Sequence, residues 1–139
     1  MECRTGGAGK GHDMAATDTE TVARQYIHAV GARDEDPLDD LFDVALVAEF
    51  AGSTLDKEGW TAALRRLMPV ILRNEIREVF TNGERACIVY DFVTDTAAGA
   101  VRCVELLTVR DGRIVQIELL LDRAAFAPVN EELKKRAAS

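Results

Sequence analysis

The chain has 139 residues, of which 47% are hydrophobic and 29% charged, and these proportions predict one globular domain with a single core. Its formal net charge of -7 argues against a nucleic-acid partner, because a phosphate backbone is bound by clustered lysines and arginines. Three cysteines cannot all pair, and neither a signal peptide nor an apolar run of membrane length is visible. We therefore expect a cytoplasmic protein without membrane contact, and no motif indicates a metal or cofactor.

The N-terminal part predicts a tail followed by an amphipathic helix. Residues 1–16 are glycine-rich, polar and without periodicity, which is typical of a disordered tail. Thr17 and Glu20 form a capping box, which predicts a helix that continues to about Arg33. Packing of its apolar stripe on a sheet would bring the Tyr26 hydroxyl into or near an enclosed cavity. The stripe consists of Val22, Ala23, Tyr26, Ile27 and Val30.

The next segment predicts two helices with a strand between them. Residues 37–42 read as a short helical segment and residues 45–50 as a brief strand. Asp56 is placed to cap a longer helix over residues 57–72, whose buried side carries Trp60.

An antiparallel meander of at least four strands is predicted from residues 74–81 and 85–122. Asp111 and Gly112 are the dipeptide of a two-residue type I′ hairpin, because both positions need positive φ. The element order, helices first and strands afterwards, predicts an α+β domain over residues 17–130, with a curved antiparallel sheet around N-terminal helices. Pro128 is expected to interrupt the chain, and residues 131–139 to form a polar, charge-mixed tail whose residues 131–138 could be a loose helix.

Pairing Arg110 with Arg113 across this hairpin sets a register in which Glu105 faces Glu118. One face of the meander is then more continuously apolar, and we assign it to the helix-covered interior. Its members are Ile76, Cys87, Val89, Asp91, Val93, Arg102, Val104, Leu106, Val115, Ile117, Leu119 and Leu121. The other face is still too apolar for water, so we expect a homodimer to cover it. Its apolar members include Ile88, Tyr90, Phe92, Val101, Cys103, Leu107 and Leu120.

Two stretches and the order of elements resemble the NTF2-like, SnoaL-like cone fold. The stretches are the Tyr26-Ile27 helix ending at Ala32-Arg33-Asp34, and Arg110-Asp111-Gly112-Arg113-Ile114-Val115 followed by Asp122 and Phe126. The likeness covers about residues 17–129 and implies a conical pocket between helices and sheet, usually in a dimer. Members include ketosteroid isomerases, limonene-epoxide-type hydrolases, polyketide cyclases and non-catalytic binding domains, so function has to be argued from the site.

The isomerases of this family use a tyrosine on the first helix, a carboxylate base at the end of the first strand and a protonated acid on the meander. Tyr26 matches the first and Glu49 the second. The acid's position falls on Leu106, while the register predicted above turns Glu105 to the opposite face.

The epoxide hydrolases of the family use an aspartate, an arginine and a second aspartate. Asp91 matches the first, but Val89 and Leu119 stand at the other two positions. If Arg102 pairs with Asp91, the carboxylate stays ionised and could orient a ligand. If Arg102 turns to solvent instead, the pKa of Asp91 should rise, and it could act as a general acid or base.

We therefore expect a pocket for a small, largely apolar molecule, with Asp91, Glu49 and Tyr26 as the catalytic candidates. The expected lining residues are Trp60, Arg102, Val104, Leu106, Ile117 and Leu119. Two functions stay open: an acid-base enzyme of isomerase, cyclase or hydrolase type, and a non-catalytic ligand-binding or dimerisation module.

Overall fold

The computed structural model describes the backbone of residues 7–138 and the side chains of residues 18–138. The elements in this part of the chain are α1 (Gly7–Gly31), α2 (Leu38–Leu41), β1 (Phe42–Phe50), β2 (Ser53–Leu55), α3 (Lys57–Leu67), a 3-10 turn (Met68–Val70), β3 (Ile71–Asn82), β4 (Arg85–Thr94), β5 (Ala100–Arg110), β6 (Arg113–Leu121) and α4 (Arg123–Ala138). None of these helices combines the length and apolarity needed to cross a membrane.

The strands form one open six-stranded sheet in the order β2-β1-β6-β5-β4-β3. Strands β3 to β6 are the predicted antiparallel meander, and β1 adds to it by pairing parallel with β6. Register shifts interrupt the β1–β6, β3–β4 and β5–β6 ladders, and such bulges bend and twist a sheet. The α+β prediction, with a curved sheet around N-terminal helices, is confirmed.

Helix α1 lies across β3, β4 and β5. All five residues of the predicted stripe are buried, so the predicted packing face is confirmed. The predicted start at Thr17 is wrong, because α1 begins at Gly7 and includes residues 7–16; residues 1–6 of the expected tail lie outside the described part. At its other end, a Cβ on Gly31 would approach the backbone nitrogen of Asn74 to 2.6 Å, so this close crossing requires glycine.

Helix α3 begins as predicted and ends earlier. The Asp56 side chain accepts a hydrogen bond from the backbone N–H of Gly59 at 2.8 Å, which confirms the cap. The helix ends at Leu67, and the chain continues through a 3-10 turn that contains Pro69 directly into β3. Pro69 has no backbone N–H to donate and clashes with the preceding turn, which explains why residues 68–72 do not extend α3.

The β5–β6 hairpin contains a bulge that the sequence did not reveal. Arg110 pairs with Arg113 as predicted, but Val109 pairs with Ile114 and Thr108 with Gln116. Val115 is therefore an extra residue on β6, and every later pair is shifted by one position. Glu105 consequently faces Leu119 rather than Glu118. The predicted Glu105–Glu118 pair is wrong for this reason.

The assignment of the two faces is wrong for β4 and β5, whereas on β6 beyond the bulge the predicted interior residues Ile117, Leu119 and Leu121 do face inward. The helix-covered interior contains Ala86, Ile88, Tyr90, Phe92, Thr94, Val101, Cys103, Glu105, Leu107, Val109, Ile114 and Ile117, all of them buried. Cys87, Val89, Asp91, Val93, Val104 and Leu106 are half-buried on the outer side. The predicted register puts Glu105 and Glu118 on the same face, so the face that is truly the interior appears to carry two charges. The set proposed as a dimer interface is thus core, with the exception of Leu120, which is 47% exposed.

Helix α4 closes one end of the cone. The Asp122 side chain accepts hydrogen bonds from the backbone N–H groups of Ala124 and Ala125 at 2.9 and 3.3 Å, so it caps the helix. Phe126 and Val129 are buried against the cone, and this burial explains why the helix continues through Pro128 instead of being interrupted there. The polar residues of the expected tail are its last turns.

Candidate functional site

Glu105 is a buried carboxyl group in the middle of β5. It is only 2% exposed, and it is the one acidic residue buried in the described part of the chain. Alternation along β5 turns it to the same side as Cys103 and Leu107, toward α1. A carboxyl group in such a place must be neutral, paired or hydrogen-bonded, because an isolated buried charge is very costly.

Two tyrosines and a tryptophan surround this carboxyl group. The hydroxyls of Tyr26 and Tyr90 donate hydrogen bonds to Glu105 Oε1 at 3.2 and 3.4 Å. Trp60 Nε1 in turn donates to the Tyr26 hydroxyl at 3.1 Å. Glu105 Oε2 is buried and has no hydrogen-bond partner among the residues described. We call Tyr26, Trp60, Tyr90 and Glu105 the interior acid cluster.

Burial keeps the interior acid cluster protonated. It raises the pKa of Glu105 to about 8, although the hydrogen bonds from the two phenols oppose the rise. Burial also raises the pKa values of Tyr26 and Tyr90 well above their ordinary value, with the negative charge of Glu105 as the next cause. Since Oε1 accepts two hydrogen bonds, the proton of the neutral acid belongs on Oε2. At neutral pH the cluster therefore contains an O–H donor without an acceptor.

A cavity of about 180 Å³ lies between α3, α4 and the sheet. Its lining is mostly apolar and consists of Phe50, Trp60, Ala63, Leu64, Arg66, Leu67, Phe92, Cys103, Leu119, Leu121, Phe126 and Asn130. Burial also raises the pKa of the Cys103 thiol to about 12, so it stays neutral. Trp60 joins the cavity to the interior acid cluster, because it lines the one and hydrogen-bonds within the other.

Asp91 lies on the outer face of the sheet, away from Tyr26. Its carboxylate accepts hydrogen bonds from Arg102 Nε at 2.5 Å and Arg77 Nη1 at 2.8 Å. The hydrogen bond from Arg102 is the main reason that the pKa of Asp91 is lowered. Of the two alternatives, the ion pair with Arg102 is the one that the structure contains. Asp91 is thus an ionised member of an outer triad, Arg77–Asp91–Arg102.

Glu49 is exposed on β1 and pairs along the strands with Thr54 and Glu118. Its neighbours Ala48 and Phe50 turn inward, and alternation turns Glu49 to the outside. The three catalytic candidates Asp91, Glu49 and Tyr26 are therefore not brought together, and only Tyr26 lies in the interior.

The predicted lining residues divide in the same way. Trp60 and Leu119 line the cavity, and Ile117 is buried without lining it. Arg102, Val104 and Leu106 lie on the outer face, because the strand faces were exchanged in the prediction.

Sequence reasoning missed Glu105, a buried acid on the meander one residue away from Leu106. The signal was available in the alternation of β4, where Ile88, Tyr90 and Phe92 put three large side chains on one face. Such a set is more typical of a core than of a surface. Glu105 pairs with Ile88 across the strands and so belongs to that face. Within residues 18–138, no three His, Cys, Asp or Glu side chains are placed to hold a metal ion.

An open, curved six-stranded sheet over N-terminal helices, with an apolar interior between them, is a cone fold of the NTF2-like class. A SnoaL-like domain matches residues 23–117, more than half of the chain, and the chain belongs to this family. No curated protein matches the chain in sequence.

Solved structures show the same fold. A steroid delta-isomerase from Pseudomonas aeruginosa is 15% identical with a TM-score of 0.70, over 87% of this chain and 92% of that one. An NTF2-like protein from Mesorhizobium loti is 23% identical with a TM-score of 0.65, over 77% and 93% of the two chains. A de novo designed protein with a curved β-sheet is 18% identical with a TM-score of 0.72, over 86% and 96%. At these identities the likeness establishes the fold alone.

Proposed function

We propose that the protein binds a small, largely apolar molecule in the cone and that the neutral Glu105 donates a hydrogen bond to an oxygen of that molecule. The observation that carries the proposal is the buried Oε2 of Glu105, which has no partner in the described structure while Oε1 accepts from two phenols. A buried donor without an acceptor is costly, and a carbonyl or hydroxyl oxygen would satisfy it.

This arrangement suits chemistry in which negative charge develops on a carbonyl oxygen. Donors held in a water-poor interior stabilise such charge, and a carboxylic acid kept neutral by burial serves this purpose at neutral pH. Tyr26, whose hydroxyl donates to Oε1 of Glu105, holds the acid in place and leaves Oε2 directed away from the two phenols. The fold shared with a steroid delta-isomerase is compatible with acid-base chemistry of the isomerase, cyclase or hydrolase type.

A non-catalytic ligand-binding module is the second candidate. It is favoured by the position of the other carboxylates, since Asp91 is ion-paired on the outer face and Glu49 is exposed. Neither is placed to take a proton from a molecule in the cone. Any proton transfer inside the cone would have to use Glu105 or the bound molecule itself.

The binding proposal is testable through Trp60, the one tryptophan of the chain, whose indole N–H gives a single nuclear magnetic resonance signal. We expect acetophenone to shift this signal saturably and at lower concentration than ethylbenzene, which has a similar shape and no oxygen. The preference should be about three- to tenfold, as one net hydrogen bond gives. It should decrease above pH 8, where ionised Glu105 repels the carbonyl oxygen.

Glu105→Gln keeps the size and an N–H donor but cannot ionise, so its preference for acetophenone should not change between pH 6 and pH 9. Glu118→Gln, on the neighbouring strand and half-buried, is the matched control and should behave like the wild type. Equal affinity for the two ligands, or no saturable shift with either, would contradict the proposal.

A further inference from the structure

The lining of the cavity changes character from its inner to its outer end. The inner part is formed by side chains that are themselves buried, among them Trp60, Phe92 and Cys103. The outer part includes Arg66 and Asn130, both of them exposed. Arg66 is the only charged residue of the described lining. The inner end of the cavity is thus formed in part by Trp60, which hydrogen-bonds within the interior acid cluster, and its outer end carries a cation. Glu105 is not itself a lining residue and lies behind Trp60 and Cys103.

Arg66 differs from its neighbour Arg65 in what it contacts. Both lie in the last turn of α3. Arg65 donates hydrogen bonds to Glu35 and does not line the cavity. Arg66 makes no ion pair within the described part of the chain, so the donors of its guanidinium are available to a ligand. A guanidinium is planar and matches a carboxylate with two parallel hydrogen bonds.

The size of the cavity limits what can lie between these two polar ends. About 180 Å³ is below the roughly 300–1,000 Å³ of ordinary small-molecule sites, whereas an apolar cavity of about 150 Å³ is known to accept benzene. One ring therefore fits. The net charge of -7 repels anions at a distance, so a local cation is needed to hold one at the mouth.

We infer that the molecule bound in the cone is a monocyclic keto or hydroxy acid, whose oxygen is directed toward Glu105 and whose carboxylate is held at the mouth by Arg66. This inference rests on the proposed function, and it adds the ligand's charge and the residue that selects it. Arg66 is a specificity-determining residue in this scheme and takes no part in proton transfer.

The test compares 4-acetylbenzoate with 4-acetylbenzamide, which have nearly the same shape and differ in charge. With the indole signal of Trp60 as the reporter, we expect the wild type to bind the acid roughly fivefold more tightly, as an exposed ion pair allows. The preference should decrease at high salt. Arg66→Gln should remove it, and Arg65→Gln, with the same loss of charge one residue away, should retain it.

The result separates this inference from the proposed function. If acetophenone shifts the Trp60 signal but the acid and the amide bind equally, or if Arg66→Gln keeps the preference, the ligand is not an acid held by Arg66 and the binding proposal stands. If none of the three ligands produces a saturable shift, the proposed function is wrong and this inference with it.

Discussion

Glu105 and Asp91 lie on neighbouring strands, and one is neutral and the other ionised because they occupy opposite faces of the sheet. Glu105 is surrounded by apolar groups and two phenols, and burial raises its pKa to about 8. Asp91 lies between Arg102 and Arg77, and its pKa is lowered. Desolvation dominates in the first case and hydrogen bonding to a cation in the second. The face on which a carboxyl group lies therefore decides whether it can donate a proton at neutral pH.

The raised pKa of Glu105 predicts that stability decreases as pH increases. Between the ordinary value near 4.5 and the folded value of about 8, the native state binds this proton and the unfolded state does not. The contribution is fully present below about pH 4.5 and is lost as pH rises to about 8, at about 1.4 kcal/mol per pKa unit. Urea unfolding at pH 5, 7 and 8.5 should show a loss of a few kcal/mol.

The variant Glu105→Gln isolates this effect, because the amide has the same shape and no titration. Its unfolding free energy should be nearly constant across that pH range, and Glu118→Gln should follow the wild type. Asp91 does not interfere, since its lowered pKa confines its contribution to more acidic conditions. Parallel pH profiles for the wild type and Glu105→Gln would show that Glu105 is ionised in the native state.

At the scale of elements, local chemistry was predictable and the register was not. Positive φ at Asp111 and Gly112 confirms the predicted hairpin, and the Asp56 cap confirms the start of α3. Both signals depend on a few adjacent residues. The bulge at Val115 has no such signal, because the valine itself suits a regular strand equally well. This one extra residue on β6 changes the partner of Glu105 from Glu118 to Leu119. The sequence therefore did not predict Glu105 as an interior residue.

Helix α4 also differs from the sequence prediction, in this case because tertiary packing overrides the local signals. Pro128 predicted an interruption before a polar tail that could be a loose helix, whereas burial of Phe126 and Val129 holds one continuous helix from Arg123 to Ala138. Phe126 packs edge-on against Phe50 at 6.3 Å between ring centroids and lies tilted against Phe92 at 5.9 Å. Phe126 is thus the main apolar anchor of α4 over the cavity.

Removing this anchor should weaken both the fold and the closure of the cavity. Phe126 is 7% exposed, and we expect Phe126→Ala to lower the free energy of unfolding by about 3 kcal/mol. The exposed Leu72 on β3, at 53%, is the control, and Leu72→Ala should cost about 0.5 kcal/mol or less. Acrylamide should also quench Trp60 fluorescence more readily in Phe126→Ala. Equal losses for the two variants would mean that α4 is not anchored at Phe126.

At the scale of the whole molecule, the curved sheet has two faces that carry different groups. The concave side encloses the interior acid cluster and the cavity between helices and strands. The outer side carries the Arg77–Asp91–Arg102 triad beside two cross-strand rows with apolar members. These rows are Phe80, Cys87 and Leu106, and Val89, Val104 and Leu120. We call these six residues the outer apolar patch.

The outer apolar patch is the surface through which we expect a homodimer, in place of the buried set that the sequence indicated. Phe80 and Leu120 are 55% and 47% exposed, and contiguous exposed apolar surface of this kind marks an interaction site in soluble proteins. The flanking charges differ in sign, with Arg77 and Arg102 near one side and Glu118 near the other. A two-fold axis through the patch can set basic groups against acidic ones, and symmetric self-contact is the commonest assembly.

Light scattering at micromolar concentration should therefore give about twice the mass of the chain. Leu106→Glu should produce a folded monomer, because it places an unpaired charge at the centre of the contact without disturbing the core. Val44→Glu is the matched control: Val44 is 82% exposed near α3, outside the patch, and its replacement should leave the dimer intact. A wild-type monomer at this concentration, or a dimer that survives Leu106→Glu, would show that the patch is not the interface.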